Sequence, residues 1–427
     1  MILYFSFLLV VLYPFKGLAA FVVSYCVGEK VSSVFIPVCF VAVFSFCCLN
    51  LFANHFSLSS FEDKILFGAG LLAVAFAGLR QEKLLFYNTA LLFFLPVLFS
   101  PFQKIEDHRF YRIVFTFFVI SSTYLLLENI ILHPWRFGFK FIPPSLEKLG
   151  DYSGYLVSNP HYEGYYNLVD YRHNSGMGNR TGGYLGNVLA MPVLIAMSAT
   201  FFYVSFREKF SLRGLVLATL GIYLLTVSMS TTAILAFLIT FFVYELYFQN
   251  SLKFLLGFSI IFVLVAVLFS SNIPLAYLYD RLLNEFRNPT YVAAFIPNLS
   301  IFLKPINMLS IILGRWSWGF LEGGSTHVDL LNIITTYGVG IAWLLYRRML
   351  RPIIILKHSV NGIGNVFSMT VLTAIICLFH SSMTLNINIM MLVTLLFLKG
   401  GQISKTSPDH NDPEFKKIIR LNPNEGV

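Results

Sequence analysis

Apolar residues run along this chain in long stretches, not in the strict alternation of half-buried strands. The stretches fall at about 1–27, 31–54, 65–79, 84–101, 113–132, 184–206, 214–230, 232–248, 253–270, 328–346, 360–382 and 385–399. A helix that crosses a bilayer needs ~20 mostly apolar residues, and fewer where it is interrupted or abuts a cavity. The pattern therefore predicts an all-α polytopic membrane protein with about twelve transmembrane helices. Lys16 interrupts the first run, and Pro352–Leu356 adds a short apolar stretch of its own. Two long polar segments, 133–183 and 271–327, separate the runs into groups. The expected organisation is N-terminal helices over 1–132, a loop over 133–183 and central helices over 184–270. A second loop follows over 271–327, then C-terminal helices over 328–399 and a tail over 400–427.

Composition sharpens this picture. Of 427 residues, 57% are hydrophobic and 12% charged, against about 25% charged in soluble domains. Such a chain cannot cover several soluble domains with a polar surface. Forty-five Phe and 22 Tyr exclude a disordered chain, which is poor in aromatics. All five cysteines lie in apolar runs without a CxxC or a Cys/His cluster, the pattern of small core residues and not of a metal or disulfide framework. The start, Met1-Ile2-Leu3-Tyr4, carries no positive charge ahead of its apolar run. The first run is accordingly expected to remain as a span and not to be cleaved as a signal peptide.

The net charge of +9 is not that of a nucleic-acid binder, because Lys and Arg sit in short clusters between apolar runs. The loops 103–112, 207–213 and 347–357 and the tail after Lys399 are basic, and with twelve spans all of them fall on one side. The positive-inside rule makes that side cytoplasmic. Both termini then face the cytoplasm, and the loops 133–183 and 271–327 lie on the outer side. Loops this long are uncommon unless they function or are disordered. Both are rich in rings, such as Tyr162, Tyr165 and Tyr166 in the first and Tyr291, Trp316 and Trp318 in the second. Tyr and Trp suit a membrane interface or a sugar-binding face.

Three constellations in or beside these loops can carry chemistry. Asn179-Arg180-Thr181-Gly182-Gly183-Tyr184-Leu185-Gly186-Asn187 stands where the first loop meets a span. Glycines let backbone N–H groups approach a ligand, and an arginine fork grips phosphate oxygens in pairs. An arginine there can equally reach for lipid headgroups. Gly323-Gly324-Ser325-Thr326-His327 stands where the second loop meets a span, with Thr326 as a helix cap and His327 at the rim. A neutral imidazole there can accept a proton, or simply hold a hydrogen bond. Arg281 and Arg287 open the second loop six residues apart. The outer loops together hold Arg136, Lys140, Lys148, Arg172, Arg180, Arg281, Arg287, Lys304 and Arg315. Phosphate-loop, dinucleotide, zinc-helix and nucleophile-elbow motifs are absent. Acidic residues within the runs are few, Glu128 and Glu245 near their ends, whereas ion-coupled transporters place paired charges near the midplane.

In order and spacing these segments resemble the bacterial O-antigen polymerase and ligase superfamily. The resemblance rests on the turn from Arg180 to Asn187, a loop arginine at Arg281 or Arg287, and the glycines Gly314 and Gly319. It ends on His327, Leu331 and Gly338 in a His-Asn-x-x-Leu and Gly-x-x-Gly pattern. Val328 stands where the family has Asn, and Gly340 comes early as the second glycine. The motifs cover roughly residues 170–345. The resemblance implies a GT-C-like helical fold in the bacterial inner membrane, with an active site facing the periplasm. It also implies glycan transfer from an undecaprenyl-pyrophosphate carrier without metal or cofactor. It points to His327, Arg180 and Arg287 as catalytic, and to Arg281, Arg172, Arg315, Tyr184 and Asn187 as substrate-binding. Donor and acceptor lipids are the implied partners, with membrane lipid around them and room for a chain-length regulator. The polymerase branch joins repeat units; the ligase branch moves polymer to lipid A–core. The many outer cations suit a site that holds two pyrophosphate lipids, hence the polymerase. A flippase or secondary transporter is the reading from another class.

Overall fold

The computed structural model describes residues 2–16, 29–53, 61–79, 93–132, 190–228, 230–249, 305–316, 329–356, 362–378 and 387–406, with a few isolated positions besides. Among them the fold is all-helical, with no strand. In chain order the α-helices are α1 (Ile2–Leu12), α2 (Glu29–Ala53), α3 (Phe61–Leu79), α4 (Asp107–Leu132), α5 (Ala190–Glu208) and α6 (Leu212–Val227). They continue as α7 (Thr231–Val243), α8 (Pro305–Leu313), α9 (Asp329–Tyr337), α10 (Val339–Leu356), α11 (Gly362–Leu378) and α12 (Ile387–Thr406). Short 3₁₀ turns lie at Tyr13–Phe15 and Ser100–Lys104, and a π turn, Tyr244–Phe248, ends α7.

The centre of the bundle is α5. Every residue from Met191 to Val204 is buried, so the helix is apolar on all sides, as a fully enclosed helix must be. Around it pack α6, α11, α7 and α4, and α12 lies against α11. Aromatic rings fill the seams, with Phe118 against Phe201 at 4.8 Å and Tyr111 stacked on Phe201 at 5.5 Å. Hydroxyls close the polar gaps. Thr200 meets Thr373 at 2.8 Å, and Thr373 donates to Thr240 at 3.0 Å, tying α5, α11 and α7 together where no water competes.

The outer helices turn apolar side chains outward: Phe5 and Leu8 on α1, Leu71 and Leu72 on α3, Leu215 and Val216 on α6. A soluble monomer keeps such patches small. By length and composition one helix among the described residues, over Asp107–Leu127, is apolar enough to cross a membrane. The chain is thus a helical protein with the character of a membrane-associated one.

Two apolar runs that read as single elements are divided. The first bends at the 3₁₀ turn Tyr13–Phe15, where Pro14 removes a main-chain donor. Lys16 follows, donates to Asn388 at 2.7 Å and lies 3.7 Å over the Tyr13 ring. The run 328–346 is two helices, α9 and α10, broken at Gly338 with φ +86°. The stretch Pro352–Leu356 is no separate span but the last part of α10.

The basic segments 103–112 and 207–213 meet at one end of the bundle, where they line a shared cleft. Lys399 of α12 is enclosed there, bonded to the carbonyls of Gln103 and Ile105 and 2.7 Å from Asp107. Arg348 pairs with Asp63 and Arg347 with Glu62, joining α10 to α3. Arg207 pairs with Glu245.

Candidate functional site

Seven of the expected site residues, Arg172, Arg180, Tyr184, Asn187, Arg281, Arg287 and His327, lie outside the described residues, as does the expected cap Thr326. Arg315 is described, and so are Gly314 and Gly338, the glycines on either side of the His327 segment.

The structure brings those glycines together. The chain leaves α8 through Gly314, with φ +79°, and crosses the C-terminal end of α9. The last carbonyls of a helix have no partner within it. Here the N–H of Arg315 donates to Thr335 O at 2.9 Å, and that of Trp316 to Thr336 O at 2.8 Å. Those two carbonyls would otherwise serve a continuous helix through Gly338, so the crossing is the reason that α9 and α10 are separate. A Cβ on Gly314 would stand 2.5 Å from the Tyr337 carbonyl carbon, and one on Gly338 2.6 Å from Ile312 O. Only glycine admits both the positive φ and this backbone contact.

Trp316 takes the unusual φ of +53° and donates its indole N–H to Leu313 O at 2.9 Å. Its ring lies 5.7 Å from Tyr337 and 6.0 Å from Phe76, and Tyr337 meets Phe93 edge-on at 4.7 Å. The crossing therefore joins α8, α9, α3 and the stretch at 93–98, and half-buried Arg315 stands at it. A strained, over-determined turn of this kind is a common device for holding functional backbone. The segment 317–328, which contains His327, lies outside the described residues, between this crossing and α9 in the sequence.

Gly338→Ala is expected to destabilise the protein by more than about 2 kcal/mol, from the left-handed φ and the contact with Ile312 O. Gly340, two residues on, has open space where its Cβ would be. Gly340→Ala is therefore expected within about 0.5 kcal/mol of wild type. Unfolding midpoints in detergent micelles check the pair, and equal losses for both would contradict the crossing.

A second polar assembly lies at the basic end. Glu245 on the π turn is wholly buried and receives a two-pronged grip from Arg207, Nε to Oε1 at 2.7 Å and Nη2 to Oε2 at 2.9 Å. The Tyr203 hydroxyl donates to the same Oε1. The hydrogen bond to that carboxylate raises the Arg207 guanidinium above its ordinary range. Beside it Glu208 Oε1 accepts from Tyr244 at 2.9 Å and from Asn365 at 2.8 Å. The π turn widens the backbone so that the consecutive Tyr244 and Glu245 both face inward. This network had a signal in sequence. Glu245 is an acid inside an apolar run, and such an acid needs a named cationic partner.

Groups of three or more potential metal ligands are absent among the described residues. No protein-family model matches the chain, nor does any curated protein or solved structure.

Proposed function

We propose that the protein is a multi-pass membrane glycosyltransferase of the O-antigen polymerase type. In this reading about twelve helices span the bacterial inner membrane, both termini are cytoplasmic, and the loops 133–183 and 271–327 form the periplasmic site. The GT-C-like architecture and the undecaprenyl-pyrophosphate-linked donor and acceptor belong to the same proposal. The observation that carries it is the ordered set Arg180–Asn187, Arg281 or Arg287, and His327–Gly338. The Gly314–Gly338 crossing supports it by bringing into contact two glycines of that pattern that flank the His327 segment in sequence. The described ion pair Arg207–Glu245 sits at helix ends, whereas a transporter would place paired charges near the midplane.

The reaction has simple requirements. An acceptor hydroxyl attacks the anomeric carbon of the donor glycan. The bond from that carbon to the pyrophosphate oxygen breaks, and undecaprenyl pyrophosphate leaves with the electron pair. Arginine forks from Arg180 and from Arg281 or Arg287 stabilise the charge that develops on those oxygens. His327 takes the hydroxyl proton. The donor is already activated, so neither ATP nor a metal is required.

Purified protein assayed with lipid-linked repeat units tests the reading. Arg180→Ala is expected to slow polymerisation roughly ten- to a hundred-fold, the loss of one charge-assisted hydrogen-bonded contact of about 1.5–3 kcal/mol. Arg180→Lys should also be impaired, because a point charge does not replace a planar fork. Wild-type rates for Arg180→Ala would remove Arg180 from the site. Deleting the gene separates the two family branches: a single repeat unit on the lipid A–core indicates a polymerase. Bare core with accumulated lipid-linked polymer indicates a ligase.

A further inference from the structure

The basic end of the bundle holds a cleft of about 690 Å³ that the glycan chemistry does not use. It opens between α4, α5, α6 and α11. Its mouth carries His108, Arg112, Lys209 and Arg213 with Ser205 and Ser211. Its inner wall is apolar, formed by Phe115, Phe202, Leu217 and Val366. The polar groups are at one end and the apolar ones run along the helices.

The cations here differ from their neighbours. Lys399, Arg207 and Arg348 are all held by carboxylates. Arg112, Lys209 and Arg213 have no described carboxylate within ion-pair distance, and Arg112 instead meets His108 Nε2 at 2.7 Å. One acid, Glu208, lines the cleft, and its Oε1 is already taken by Tyr244 and Asn365. Three positive side chains thus line the cleft against a single carboxylate.

Backbone charge adds to the imbalance. α4, α6 and α11 all begin at this cleft, which is lined by His108, Arg213 and Gly362 from their first turns. A helix start presents partial positive charge and N–H groups; Asp107 in the first turn of α4 and Glu208 beside Gly362 of α11 offset two of the three. α6 has no acidic residue in its first turn to offset this, and instead carries Arg213 there. Cations at a helix start are unfavourable by the same electrostatics that favours anions. Ser211 caps that helix by accepting from the Gly214 N–H at 3.1 Å, which leaves its own hydroxyl proton to donate.

From this geometry we infer that the cleft binds the phosphate of an anionic phospholipid, with an acyl chain laid along the wall of Phe115, Phe202 and Leu217. The cations, the start of α6 and the Ser211 hydroxyl supply the phosphate site. The apolar wall selects a lipid over a free phosphate, because a soluble anion would leave that wall wet. The inference rests on the membrane-spanning part of the proposed function and not on glycan transfer. The same basic segments that orient the chain would then anchor it to the headgroups of one leaflet.

Lipid retention by the purified full-length protein tests this, read by native mass spectrometry from detergent micelles. Dioleoylphosphatidylglycerol should be retained, and dioleoylphosphatidylcholine stripped at the same activation energy. With each basic residue contributing about 1 kcal/mol near such a headgroup, the combined variant Arg112→Gln, Lys209→Gln, Arg213→Gln should bind roughly a hundred-fold more weakly. All three side chains are exposed, so the variant should elute as wild type does. Arg213→Lys alone, which keeps the charge, should retain the lipid. Equal retention of both lipids overturns the inference, as does retention by the triple variant within about three-fold of wild type. Displacement of the lipid by glycerol 1-phosphate at equal concentration also overturns it, by showing a soluble-phosphate site. A chain that stays in solution without detergent would instead defeat the membrane reading beneath it.

Discussion

Glu245→Ala is expected to destabilise the protein by about 3–5 kcal/mol, the loss seen when one partner of a buried ion pair is removed. The Glu245 side chain is fully buried and that of Arg207 is 8% exposed, so neither charge is screened by water in the native state. Without the carboxylate, the Arg207 fork loses both of its bonds and the Tyr203 hydroxyl loses its acceptor. Part of the guanidinium remains against the Phe210 ring, 5.3 Å away, which is too weak a contact to compensate. The measurement is an unfolding titration in mixed micelles. A double replacement, Arg207→Met with Glu245→Leu, gives the control. It removes the interaction without leaving an uncompensated charge, and replacing a buried pair by apolar residues is often neutral. The double variant should therefore recover most of the loss caused by Glu245→Ala. A loss below about 1 kcal/mol for Glu245→Ala would mean that Arg207 turns to water, and that the pair contributes only as a surface bridge does.

The legible part of the fold was the part dictated by burial. The runs 31–54, 113–132, 214–230 and 360–382 correspond closely to α2, α4, α6 and α11, because an apolar stretch of that length has few ways to satisfy its backbone other than a helix. What hydropathy did not show was where helices stop for reasons that lie elsewhere in the chain. The run 328–346 is apolar on both sides of Gly338, so nothing local marks the break. It arises because Arg315 and Trp316 take the carbonyls of Thr335 and Thr336. Lys16 read as an interruption, yet its partner Asn388 stands at the far end of the sequence. The charge pattern was legible in sign but not in role. Arg207 and Arg213 sit six residues apart in one basic segment. The first is bonded into a buried network and the second lines an open cleft. That distinction depends on where Glu245 falls in a neighbouring helix. Of the expected site, the glycine spacing was the structurally informative signal. It marked Gly314 and Gly338 in separate motifs, and the structure shows the two in backbone contact.

His327→Gln is expected to reduce polymerisation by roughly 10²–10⁴-fold, the range for losing a general base. The argument begins with position. The segment holding His327 runs from the crossing at Gly314–Trp316 to α9, whose far end is clamped by the same crossing. The described elements that flank it in sequence are thus held to one another, which suits a residue that must meet an acceptor hydroxyl at hydrogen-bond distance. Glutamine keeps a hydrogen-bonding group of similar reach but cannot accept a proton near neutral pH. A cap or a purely structural hydrogen bond would therefore survive this substitution, and a base would not. The pH profile offers an independent readout. The imidazole acts only in its neutral form, so the wild-type rate should fall as pH drops through the histidine range near ~6.5. That acid limb should vanish from the residual activity of His327→Gln. The split between constants is also expected to be uneven, with kcat carrying the loss and KM for the lipid-linked substrates little changed, because the forks of Arg180 and its loop partner remain. A His327→Gln rate within a few-fold of wild type, with the acid limb intact, would assign the proton to another group and leave His327 as a hydrogen-bonded rim residue.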